Sequence, residues 1–207
     1  MKLTKLMYVF LLILTVFCMA SCAGNEETKE TSGTKKVSDT SMIKGEFYTS
    51  YNLYYEQSDK LWSINYRKGS LLPAGTKVSS IQMGKARRNV QTLSFQVVDR
   101  NQTFTISFQP QFHPGLSLEK FRDRLFSSQT FEQLTKGLKK EEIENIKIGR
   151  IGPGMSKKAA LVSYGYPPEH ATPSTNANTW YYWLNRFHKM TLNFDDKGLT
   201  TGELPTM

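Results

Sequence analysis

Cysteine is scarce in this chain. The 207 residues include two cysteines, Cys18 and Cys22, and both lie near the start. Residues 23–207 contain none, so they have no disulfide, no thiolate metal ligand and no cysteine nucleophile. We therefore expect this part of the chain to be stabilised by side-chain packing alone.

Motifs for metal binding and catalysis are also lacking. The three histidines, His113, His170 and His188, are never four residues apart, and the chain has no Gly-x-Ser-x-Gly elbow. The run Gly152-Pro153-Gly154 is followed by neither a P-loop lysine nor a dinucleotide-binding spacing. We predict that the protein is not an enzyme and holds no metal or cofactor; an enzyme of an unrecognised type is the alternative.

No apolar run is long enough to cross a membrane. The longest, Leu6–Met19, has 14 residues, whereas a hydrocarbon layer about 30 Å thick needs roughly 20 helical residues. It follows the basic residues Lys2 and Lys5 and precedes small residues and Cys22, which is typical of a secretory signal. We predict that residues 1–21 are a signal peptide that is cleaved.

The run Ala20-Ser21-Cys22 resembles the lipobox of bacterial lipoproteins. The resemblance implies that Cys22 carries acyl chains such as palmitate and becomes the mature N-terminus. Ala23 and Gly24 are not the aspartate that retains such proteins in the inner membrane, so the expected location is the outer membrane, on its periplasmic face. An ordinary signal peptide with an incidental cysteine is the alternative.

The segment after the anchor is polar. Residues 23–44 contain no aromatic residue and are mostly Glu, Lys, Thr, Ser, Gly and Asp, which cannot bury enough apolar surface to order the chain. We predict that residues 22–44 form the lipid anchor and a flexible tether. A random coil of this length spans about 26 Å.

Acidic residues are outnumbered by basic ones. The chain has 27 Lys and Arg against 18 Asp and Glu, a net charge of +9. This excess favours anionic partners, and secretion makes nucleic acid an unexpected one. Anionic lipid, lipopolysaccharide or an acidic protein surface are the expected partners; a solvated basic surface with no partner is the alternative.

Two kinds of patterning follow the tether. Residues 45–112 contain short apolar runs separated by turns, of which 93–97 and 104–108 alternate most clearly, and these predict a β-rich domain with a hairpin. Ser117 then precedes a helical spacing of Leu118, Phe121 and Leu125, and Ser156 precedes a second short helical segment at 157–164. Both serines are predicted to cap these helices.

The C-terminal region resembles a known family. Its motifs are Gly154-Met155-Ser156, Gly165-Tyr166-Pro167, Trp180-Tyr181-Tyr182 and Phe194-Asp195-Asp196-Lys197-Gly198. In this order they resemble the small outer-membrane lipoproteins of the BamE (SmpA/OmlA) family. The resemblance implies a helix pair packed on a three-stranded antiparallel sheet, and an accessory role in inserting barrel proteins into the outer membrane.

The expected fold class is therefore α+β. A small antiparallel β region at 45–112 is followed by a BamE-like domain at 113–207, with a helix pair on a three-stranded antiparallel sheet. The expected function is that of a non-enzymatic scaffold or accessory that binds an envelope protein, with the barrel-assembly machinery as the partner implied by the resemblance.

Two surfaces are candidates for binding. Tyr181 and Trp183 lie on the same face of one predicted strand. Together with Arg186 they predict a contact surface, unless the β region covers that face. The alternative function is binding of an anionic envelope polymer or lipid, such as lipopolysaccharide or peptidoglycan, through basic residues around Lys85, Arg87 and Arg88.

Overall fold

The computed structural model describes residues 45–57, 59–86, 88 and 90–204. They all belong to one compact unit, Ser38–Met207. The signal peptide at 1–21, the anchor Cys22 and the tether at 22–44 lie outside the described residues, and so does Arg87. No helix in the described ranges is long and apolar enough to span a bilayer.

Among the described residues, strands and isolated β-bridges outweigh helices, at 36% against 20%. In chain order the strands are β1 (Phe47–Thr49), β2 (Leu53–Tyr55), β3 (Lys60–Trp62), β4 (Ser70–Leu72), β5 (Lys77–Lys85), β6 (Gln91–Val97), β7 (Gln102–Ser107), β8 (Phe126–Ser127), β9 (Thr179–Asn185) and β10 (His188–Asn193). The helices are α1 (Leu118–Leu125), α2 (Phe131–Leu134), α3 (Lys140–Lys147) and α4 (Lys157–Tyr164), with a 3-10 turn at Pro110–Phe112.

A curled six-stranded sheet forms the larger layer. Its order is β3-β7-β6-β5-β1-β8, and β3 pairs with β7 in parallel while the other neighbours are antiparallel. The predicted hairpin is confirmed as β6 and β7, with Phe95 opposite Phe104. Because side chains alternate across a strand, the apolar residues of both strands enter the same core.

Helix α1 covers one side of this core. Ser117 caps it as predicted, since its hydroxyl accepts a hydrogen bond from the Lys120 N–H (3.3 Å). Leu118, Phe121 and Leu125 lie on one helical face and are buried in the sheet's apolar cluster.

A second apolar cluster lies around α3, α4 and the β9–β10 hairpin. Ser156 caps α4 and accepts from the Ala159 N–H (3.2 Å). Gly165 ends α4 with φ +79°, and a Cβ there would lie 2.6 Å from the Tyr51 ring, so both the backbone and the packing require glycine. The boundary between 112 and 113 stays a prediction about domain organisation.

The predicted fold class is wrong. The C-terminal helices do not pack on a three-stranded antiparallel sheet, because β9 and β10 form a sheet of two strands. Residues 199–201 follow β10 but do not add a third strand to it. They make isolated bridges instead, in which Leu199 pairs with Ser156 before α4 and Thr200 pairs with Phe194. The N-terminal sheet is also not purely antiparallel, because β3 joins it in parallel.

A buried guanidinium joins these parts. Arg67 lies against the Tyr164 ring, 3.6 Å from its centroid, and donates hydrogen bonds to the hydroxyls of Tyr164 and Tyr54 and to the Gly149 carbonyl. Its backbone N–H donates to the carbonyl of Trp183 in β9 (3.1 Å). Burial lowers the pKa of Arg67, against the opposing effect of Tyr54, yet an arginine stays charged at neutral pH.

Replacing Arg67 with alanine should lower the free energy of unfolding by roughly 3 kcal/mol, because the acceptors on Tyr54, Tyr164 and Gly149 lose a charged donor inside the core. Urea denaturation measures the change. The control is Lys147→Ala, whose ion pair is exposed and should contribute roughly 0.5 kcal/mol or less. A loss for Arg67→Ala that is no larger than the control's would contradict this role.

Candidate functional site

Trp62 is the centre of a recessed surface. It lines three open depressions with volumes of about 300, 870 and 540 Å³. We call the residues that line them the Trp62 surface. They are the aromatic residues Tyr54, Tyr55, Trp62, Tyr66, Phe108 and Phe187; the basic residues Lys60, Lys68, Lys85, Arg88 and Arg186; Glu56; the amides Gln57, Gln91, Gln109, Gln111 and Asn185; and Ala86, Val90, Ser107 and Pro110.

The position of β3 explains why Trp62 is accessible. This strand is at the edge of the main sheet, and its central residue, Leu61, points into the core. Alternation turns Trp62 to the opposite face, where it is 47% exposed. A single exposed apolar residue needs no explanation, but one that shares a recess with other aromatic side chains is typical of a binding site.

A second exposed aromatic lies at the tip of the β9–β10 hairpin. Phe187 is 75% exposed, and the Arg186 guanidinium lies 4.5 Å from its ring centroid. The Asn185 side-chain oxygen accepts from the backbone N–H groups of Phe187 (2.9 Å) and His188 (3.1 Å). These bonds fix the turn, so the tip is held in place beside Trp62 and Tyr66 in the same depression.

The charge of this surface is one-sided. Among the described residues that line it, five are basic and one, Glu56, is acidic. Glu56 pairs with Lys68 at 2.5 Å, so one positive charge is locally balanced. The remaining basic residues give the surface a positive potential that attracts anions.

Uncharged amides are the other polar groups of the Trp62 surface. Gln109 lines two of the three depressions. Its side-chain oxygen Oε1 is buried and has no hydrogen-bond partner within the described part of the chain. An unsatisfied buried acceptor is costly, so Gln109 lowers the stability of the fold at the place where it lines the Trp62 surface.

A hydrogen-bonded histidine lies beneath this surface. His113 is buried, with Nδ1 2.7 Å from Glu169 Oε2 and Nε2 3.0 Å from Ser63 Oγ. Arg124 also donates to Glu169. Burial acts to raise the pKa of Glu169, but the hydrogen bonds from His113 and Arg124 outweigh it and the pKa is lowered.

Ser63, His113 and Glu169 are hydrogen-bonded in a row, as the nucleophile, base and orienting acid of a catalytic triad are. The Ser63 hydroxyl, however, is not accessible to a substrate. Ser63 is 6% exposed and lines none of the three depressions. Its Oγ also accepts a hydrogen bond from the Gln109 backbone N–H (3.1 Å). The arrangement therefore holds the backbone of Gln109 in position under the Trp62 surface.

The structure separates the predicted contact residues. Arg186 is exposed and belongs to the Trp62 surface, whereas Tyr181 and Trp183 are half-buried and line none of its depressions. Tyr181 lies under Lys189, whose Nζ is 4.4 Å from its ring centroid, and Trp183 lies 5.0 Å from the His170 ring.

Two of the basic residues that were predicted to bind an anionic polymer or lipid do belong to the Trp62 surface. Lys85 and Arg88 line the largest depression, together with Trp62. Sequence reasoning missed Trp62 and Phe187. The signal that could have found Trp62 is its alternation with Leu61, which places a tryptophan opposite a core residue.

In the described ranges no three His, Cys, Asp or Glu residues are grouped so that they could hold a metal ion. Comparison with known proteins adds nothing to the geometry, since the chain matches no family model, no curated protein and no solved structure. The family resemblance therefore depends on the sequence motifs alone.

Replacing Glu169 with glutamine should destabilise the protein by about 1–2 kcal/mol at pH 7, because charge-assisted hydrogen bonds from His113 and Arg124 are weakened. The pKa of Glu169 is lowered by folding, so its contribution is present above the ordinary value of 4.5 and is lost as pH falls through the lower folded value.

Urea denaturation at neutral and at acid pH measures this difference. The gap between Glu169→Gln and the parent protein should narrow below about pH 4. Glu203→Gln is the control, since that carboxylate is more than half exposed in its pair with Arg150. A gap that stayed constant with pH would show that the Glu169 charge is not what stabilises the fold.

Proposed function

We propose that the protein is a non-enzymatic binding module of the bacterial cell envelope, and that the Trp62 surface binds an anionic envelope polymer. The observation that carries this proposal is the charge of that surface, with five basic side chains against one carboxylate around exposed aromatic rings. Positive side chains attract a polyanion, and exposed apolar rings add contact area.

The proposed location is the periplasmic face of the outer membrane. Cys22 would carry the lipid and residues 23–44 would be the tether, and the support for both is the lipobox and the composition of the sequence. A tether that spans about 26 Å lets the module reach polymers beyond the head groups while the anchor keeps its local concentration high.

A protein partner is favoured less by the geometry. Half-burial of Tyr181 and Trp183 leaves little of the contact surface that we expected for an envelope protein. The role in barrel assembly stays a prediction. Crosslinked capture of the lipidated protein from intact envelopes, with Cys22→Ala as control, would support it if barrel-assembly subunits were enriched.

Charge reversal in the largest depression should abolish most polyanion binding. The variant Lys85→Glu/Arg88→Glu removes two positive charges beside Trp62, and its affinity for isolated peptidoglycan should fall by about tenfold or more. Binding by the parent should weaken as salt rises from about 0.05 M to about 0.5 M. Co-sedimentation of the Cys22→Ala full chain measures both effects.

The matched control is Lys147→Glu/Lys197→Glu. It makes the same change in net charge at exposed positions that line none of the three depressions. An equal loss in both double variants would mean that net charge alone causes retention, and binding insensitive to salt would contradict an electrostatic site.

A further inference from the structure

We propose that the polymer is a linear acidic glycan that lies across Trp62, with consecutive saccharide units in the depressions on either side. This inference depends on the proposed function and specifies its ligand. It follows from three properties of the Trp62 surface that an anionic polymer in general does not need: a continuous path, exposed aromatic faces and many uncharged amides.

The path comes from the three depressions. Each is open, and each includes Trp62, so they meet at one side chain. The largest, about 870 Å³, lies on the side of Lys85 and Arg88, and that of about 540 Å³ extends to Arg186 and Phe187. An extended chain that enters one and leaves by the other passes over Trp62 and Gln109, the two residues that line both.

The aromatic groups suit saccharide rings. Each pyranose ring presents a face of C–H groups that packs against an indole or phenyl ring, and this contact is chiefly apolar. Trp62 and Phe187 are the most exposed aromatic side chains of the described residues, at 47% and 75%. Tyr66, half-buried, lies in the same depression as both and extends the aromatic lining.

The amides suit hydroxyl groups. A primary amide both donates and accepts, as a sugar hydroxyl does, so the two pair readily. Gln91, Gln109 and Gln111 line the largest depression and Asn185 lines the next. Gln109 lines both of these depressions, so its side chain belongs to the part of the surface that the glycan would cross.

The basic groups suit acidic sugars. Lys85 and Arg88 lie on one side of Trp62 and Arg186 on the other, so positive charge occurs at both ends of the path. Carboxylates spaced along a chain can meet both ends while the rings between them pack on the aromatics. An acidic peptide would be attracted by the same charges, but its backbone has no repeated apolar ring faces that could pack on successive aromatic side chains.

The test compares ligands of equal charge. Calorimetry with the Cys22→Ala full chain would measure binding of polygalacturonate oligomers, poly-L-glutamate of matched charge and neutral dextran. We expect polygalacturonate to bind at least about tenfold more tightly than polyglutamate, and dextran to bind weakly. Vesicles of anionic phospholipid are the fourth ligand. We expect the protein to bind them no more tightly than it binds polyglutamate.

Two variants test the residues. Trp62→Ala should weaken polygalacturonate binding by about tenfold while changing polyglutamate binding less than threefold. Gln109→Met should weaken glycan binding while leaving the thermal unfolding temperature unchanged or higher, since it removes an unsatisfied acceptor. Ile148→Ala is the control, because Ile148 is 62% exposed and lines none of the three depressions.

The outcomes separate the two proposals. Equal binding of polygalacturonate and polyglutamate, with no effect of Trp62→Ala, overturns the glycan assignment and leaves the anionic-polymer function intact. Tightest binding to the lipid vesicles also overturns it in favour of a membrane surface. No salt-sensitive binding of either polyanion overturns both proposals. Thermal unfolding of each variant shows whether a loss of binding reflects loss of the fold.

Discussion

The buried guanidinium of Arg67 fixes how the parts of this protein meet. The contacts within the two apolar clusters are not directional, whereas hydrogen bonds have a preferred geometry. The Arg67 side chain has fixed donor directions and holds Tyr54, Tyr164 and the Gly149 carbonyl. Its backbone N–H also donates a hydrogen bond to the carbonyl of Trp183 in β9. This bond fixes the position of the segment after β3 relative to the β9–β10 hairpin.

This constraint builds the Trp62 surface. Residues on either side of Arg67, Tyr66 and Lys68, line the same depression as Phe187 at the hairpin tip. The inward turn of Arg67 thus directs its neighbours outward and brings the hairpin against them. From below, His113 and its partners hold the backbone of Gln109, so the floor and the walls are both fixed by buried polar groups. A preorganised surface loses little entropy on binding.

A buried serine and histidine and a partly buried glutamate lie apart from the three depressions. A histidine between a serine and a glutamate is costly to bury unless each polar atom is satisfied, and here the bonds of Ser63, His113 and Glu169 satisfy one another. The chemistry left at the surface is attraction, stacking and hydrogen bonding, supplied by basic, aromatic and amide side chains. These properties support the proposal that the Trp62 surface binds a polymer.

The sequence by itself determined the local features. The lack of thiols, the signal and lipobox pattern, the β6–β7 hairpin and the caps Ser117 and Ser156 depend on neighbours in the chain or on simple alternation, and those within the described residues are confirmed. The family resemblance predicted a three-stranded C-terminal sheet, and this prediction is wrong. Leu199 pairs with Ser156 and Thr200 pairs with Phe194, so these residues form isolated bridges to two different segments. Only the tertiary structure decided that Arg67 is buried and that Trp62 and Phe187 line one depression. Sequence patterns predict that a charged residue is exposed, and proximity between distant segments produces no periodicity in the sequence.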